Sequence, residues 1–195
     1  THLLFNRGSL NTNSQNVSAA QFVHFSGISP ATDLAARQLT LGSSQISVTR
    51  WVYYQGSLDA GTSHISVSLN SNEASYASFT SYSGHHYHHV TFTAATSSSN
   101  RANTTFDTVT ALNNHYFFGT GSVYRILNLT GGKNYYFQNG TTTTINEQLN
   151  YSTLDCSGFP FLTSTTAGSR ATISMPASAG TVHIPNVRVR DIAVT

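Results

Sequence analysis

The sequence predicts an all-β protein: a single-domain antiparallel β-sandwich, jelly-roll-like, of about a dozen strands with at most one short helix near 30–37. Three observations point there. Apolar residues recur with period two nearly throughout, which is the signature of half-buried strands. The segments that carry this period are rich in Thr, Tyr, Val and Phe, residues that fit a pleated surface. Turn-forming residues separate them at intervals of roughly 8–12 residues, as in a sandwich.

Taken in order, His2-Leu3-Leu4-Phe5 opens the chain as an apolar strand, and 11–16 is a polar spacer of Asn, Thr, Ser and Gln. Residues 1–10 therefore read as a strand that a neighbouring subunit could accept at a sheet edge, with Leu3, Leu4 and Phe5 as candidate subunit contacts. The β-sandwich domain then spans 17–195; the alternative is a first strand that pairs within its own sandwich. Ser29 as N-cap, Pro30 at the first helical position and Asp33 in the first turn mark a short helix to about Arg37. Ile46, Val48, Val52 and Tyr54 share one strand face, with Trp51 and Tyr53 on the other. Ile65, Val67 and Leu69 alternate with Ser66 and Ser68; Val90 and Phe92 follow. Further strands are expected over 106–112, 115–118, 123–129, 135–137, 141–145 and 171–175. Asn139-Gly140 is the sharpest turn signal and predicts a type I′ hairpin pairing 134–138 with 141–146. Over 182–194 the apolar phase changes at Pro185-Asn186 and again at Arg190-Asp191, which reads as bulges re-aiming the last strand. No internal repeat of 20–50 residues is evident.

Composition places the molecule. Charged residues make up 8% of the chain, whereas Ser and Thr number 54, with 16 Asn and 14 Gly. An ordinary domain carries about 25% charged residues. A surface of hydroxyls and amides suits an extracellular, cell-surface or virion-surface setting. The nine Lys and Arg form no basic run and the net charge is +2, which argues against nucleic acid as a partner. No stretch of about 18 apolar residues is present, so membrane insertion is not expected. Cys156 stands alone, in a turn leading into an apolar run, and reads as an inert thiol.

Residues with chemical potential are few. Asn16, Asn103, Asn128, Asn139 and Asn150 each open an Asn-x-Ser/Thr triplet and are glycosylation candidates. Roughly four such triplets are expected from this composition by chance, so the signal is weak. The run Gly84-His85-His86-Tyr87-His88-His89 puts His86 and His88 on one face of an extended strand, a candidate pair of metal ligands. Its further ligands would have to come from His24, His64, His115 or Asp107, and no spacing selects one. The seven carboxylates show no glycosidase arrangement; Asp107 with Glu147 is an open pairing with nothing to favour it. No catalytic motif is recognised and no cofactor is implied. Tyr82, Tyr87 and Tyr116 are candidate ligand contacts, because tyrosine supplies flat amphipathic area at low entropy cost.

These features point to a non-enzymatic structural subunit of an extracellular or virion-surface filament, fibre or shell, built by self-association. The alternative is a module that binds glycans or a surface receptor.

Overall fold

The computed structural model describes residues 2–4, 8–24, 37–54, 56–70, 77–81, 84–100, 103–152, 158–179 and 186–195. The predicted helix falls on residues outside these, apart from Arg37. In chain order the strands are β1 (His2–Leu4), β2 (Gly8–Asn11), β3 (Val17–His24), β4 (Arg37–Thr40), β5 (Gln45–Tyr53), β6 (Ser57–Asp59), β7 (His64–Val67), β8 (Phe79–Ser81), β9 (His86–Phe92) and β10 (Thr96–Asn100). There follow β11 (Thr105–Ala111), β12 (His115–Gly119), β13 (Val123–Thr130), β14 (Asn134–Phe137), β15 (Thr142–Ser152), β16 (Phe161–Ser164), β17 (Ala171–Ser174), β18 (Arg188–Arg190) and β19 (Ile192–Val194).

The fold is all-β, but every described pairing is parallel, so the antiparallel sandwich and the jelly roll are overturned. The main sheet runs β18-β16-β14-β12-β10-β8-β5-β7-β9-β11-β13-β15-β17-β19, with β3 and β1 joined to β5, and β2-β4-β6 form a small second sheet. Even-numbered strands make one arm and odd-numbered strands the other. They meet at β5, whose first half pairs with β7 and whose second half pairs with β8. The result is a nearly closed, barrel-like tube of parallel strands.

Connectivity identifies how the tube is wound. Only Thr93–Ala95 separate β9 from β10, and Leu112–Asn114 separate β11 from β12. A return to a parallel neighbour in the same wall needs a dozen or more residues. Successive strands must therefore lie in different walls, and each circuit of the chain stacks on the one before it. This is a β-solenoid. Phe106 lies 19 residues after its partner Tyr87, and Tyr124 lies 18 after Phe106. That coil length escapes a search for repeats of 20–50 residues.

The tube has corners because the inward phase skips a residue. In β9 the buried Tyr87 is followed by Val90 and Phe92; in β11 Phe106 by Val109 and Ala111; in β13 Tyr124 by Leu127 and Leu129. Inward side chains three apart instead of two require the strand to bend between them. The same skip occurs in β5, where Ile46 and Val48 are followed inward by Trp51 and Tyr53. A single uninterrupted face from Ile46 to Tyr54 is thereby corrected.

Registered coils place like on like. Phe22 stacks on Trp51 at 4.3 Å between centroids, and Phe117 on Phe137 at 4.9 Å. Tyr87, Phe106 and Tyr124 form a second column, at 5.4 and 5.1 Å. These separations follow the strand spacing of about 4.8 Å, and each buried ring contributes about 1.5–3 kcal/mol.

The expected hairpin at Asn139-Gly140 is also corrected. β14 pairs with β12 and β16, whereas β15 pairs with β13 and β17. Of the two turn residues only Gly140 has positive φ, 68°; a type I′ turn requires both. The dipeptide turns a corner of the tube. At the N-terminus, β1 pairs with β3 (Leu3 opposite Phe22) and β2 pairs with β4.

Candidate functional site

Outward side chains also form registered columns. At one corner, His86, Asp107, Arg125 and Glu147 come from four successive coils. His86 Nε2 lies 3.3 Å from Asp107 Oδ2, Arg125 Nε 3.6 Å from Asp107 Oδ1, and Arg125 Nη1 donates to Glu147 Oε2 at 3.0 Å. Asp107 and Glu147 are thus brought close, but with a guanidinium between them. The two carboxylates therefore face Arg125 rather than each other across an open cleft. A polar column beside it carries Thr110, Asn128 and Asn150: Asn150 Nδ2 donates to Asn128 Oδ1 at 3.0 Å, and Asn128 Nδ2 to Thr110 Oγ1 at 3.3 Å.

The histidines divide by depth. His115 is fully buried, its ring nitrogens 2.7 Å from Thr96 Oγ1 and 3.1 Å from Ser98 Oγ, and burial pushes its pKa down to about 3. His85 donates from Nε2 to Gly56 O at 3.0 Å while Nδ1 faces Ser81 Oγ at 3.2 Å; burial lowers its pKa. His64 and His89 stack at 4.2 Å. Desolvation, then the neighbouring imidazoles, lowers both, His89 to about 4. Of the predicted metal pair, His86 is engaged with Asp107 and Thr105, and His88 buries an unpartnered Nδ1. Among the described residues no three His, Cys, Asp or Glu side chains are grouped to hold a metal ion.

The other sequence candidates are distributed as follows. Tyr87 is wholly buried in the ring column, so it is corrected from ligand contact to core. The phase skip explains the error, since it puts Tyr87 on the same inward side as Val90 and Phe92, which strict alternation places on the opposite face. Tyr82 lies outside the described residues, as do Phe5 and Cys156. Tyr116 faces outward and stacks on Tyr136 at 4.1 Å, the ring planes nearly parallel. Leu3 packs partly against the core and Leu4 is 59% exposed. Asn16 accepts from Gln45 N–H through Oδ1, and Asn103 sits exposed in a turn at φ 65°. Asn139 is held by Thr165, Thr166 and Ser169.

One cleft was not anticipated. Gly132, Asn134, Gly158, Phe159, Phe161 and Arg188 line a cavity of about 430 Å³. Phe159 is 48% exposed, the only aromatic among the exposed large hydrophobic residues described. The signal was a change in coil length: Tyr116 and Tyr136 are 20 residues apart, but Tyr136 and its next partner Thr163 are 27 apart. The longer coil carries Gly158 and Phe159 to the cleft. Comparison with protein-family models, curated proteins and solved structures found no match.

Proposed function

We propose that this chain is a non-enzymatic structural subunit of an extracellular or virion-surface assembly, formed by copies associating along the tube axis. The observation that carries the reading is that three of the five exposed large hydrophobic residues described lie on strands at the two ends of the tube. Leu4 lies on β1 at one end of the tube, and Val189 and Val194, 51% and 70% exposed, lie on β18 and β19 at the other. A contact between two unlike ends repeats without closing and builds filaments. Open strand edges at both ends favour such pairing. The charge-poor surface lowers repulsion between copies.

The test is light scattering over a concentration series, with negative-stain imaging of the same fractions. Filaments or axial oligomers that weaken on V189D/V194D support the reading. A monomer at every concentration contradicts it.

A further inference from the structure

The cleft of Asn134, Phe159, Phe161 and Arg188 has a chemistry that the assembly reading does not use. Its floor is aromatic, with Phe159 half open to solvent and Phe161 partly buried. Its wall carries the exposed Arg188 guanidinium, for which no described carboxylate is an ion-pair partner. The Asn134 side chain has no hydrogen-bond partner among the described residues, although its backbone N–H is taken by Asn114 Oδ1. Gly132 and Gly158 add no side chains, and a Cβ on Gly158 would meet only Gly132 Cα, at 4.0 Å. A second cation backs the aromatic floor: Arg190 lies 5.3 Å from the Phe161 ring centroid and donates to Thr163 Oγ1. No described carboxylate lines the cavity.

We propose that this cleft binds a sugar residue bearing a carboxylate. An aromatic ring covers the C–H face of a pyranose, an amide matches vicinal hydroxyls in both donor and acceptor sense, and a guanidinium pairs with a carboxylate in a fork. A volume of about 430 Å³ is in the range of small-ligand pockets. Arg188 and Arg190, with no carboxylate lining the cavity among the described residues, favour the acidic sugar over a neutral one. Arg188 neighbours Val189 on the end strand β18, so the cleft borders the surface proposed for axial assembly but draws on different side chains.

Calorimetric titration with oligogalacturonate, and with its methyl ester as neutral control, tests the proposal on the whole chain. The acid form is expected to bind about tenfold or more tightly than the ester. R188Q is expected to remove that preference, and F159A to weaken both ligands, with thermal unfolding confirming that each variant folds. Equal binding of acid and ester, or no binding of either, would overturn the proposal. So would an unchanged preference in R188Q, or equal competition by citrate, which would mark a simple anion site.

Discussion

The inward and outward faces of the same strands are built on one register but obey different rules. Inside, Phe117 and Phe137 stack in a column where volume and shape decide the energy. Outside, the adjacent Tyr116 and Tyr136 stack at nearly the same separation with one side in water. Parallel coils repeat position on position, so both faces develop ladders. Only the inner ladder excludes solvent, and only there does a missing group leave a void.

That contrast is sharpened by substituting neighbours. F117A is expected to cost about 3–5 kcal/mol, a large aromatic removed from a closed core. Y116A should cost about 0.5–1.5 kcal/mol, the value of one exposed stack. Urea unfolding of both variants measures the difference; equal losses would break the comparison. Next in size is G119A. Gly119 has φ 116°, and a Cβ there would run into the Asn100 backbone of the preceding coil, so about 2–3 kcal/mol should be lost. At Gly140, where φ is 68° and nothing lies within 4 Å, alanine should cost about 1–2 kcal/mol.

Acid provides the third contrast, between buried and open imidazoles. His115, His89, His64 and His85 have pKa values below the ordinary 6.5 because burial disfavours the cation. The native state then binds fewer protons than the unfolded chain. Their contribution is present in full above about pH 6.5 and is lost as pH falls toward 4 and then 3, the values for His89 and His115. The urea midpoint should therefore be level from pH 7 to 8 and drop between 6.5 and 4; a level midpoint down to 4.5 would contradict this. The smallest effect belongs to the outer ion ladder. D107N should cost about 0–1 kcal/mol and lose even that in high salt, as exposed pairs do.

The strands with clear apolar alternation were legible in the sequence because period two depends only on which face is buried, whereas β3, β8 and β10, which lack it, were not. Strand direction was not, since alternation is the same whether the neighbour runs parallel or antiparallel. Asn139-Gly140 misled for the same reason: a glycine at positive φ serves a corner between walls as well as a hairpin. The coil itself had left a trace. Tyr87/Val90/Phe92, Phe106/Val109/Ala111 and Tyr124/Leu127/Leu129 repeat one spacing of apolar residues, but they share apolar character and not identity. Tyr87 was misassigned because strict alternation from His86 does not reveal the bend after it. The cleft was hidden because its walls come from separate coils, and only the register of Asn134 with Phe161 brings them together.

Backbone contacts between coils, measured by isotope-edited NMR, test the parallel winding most directly. Parallel winding predicts cross-strand contacts of Thr110 with Asn128 and of Tyr116 with Tyr136, both in parallel register. Antiparallel contacts between 134–138 and 141–146 would contradict it.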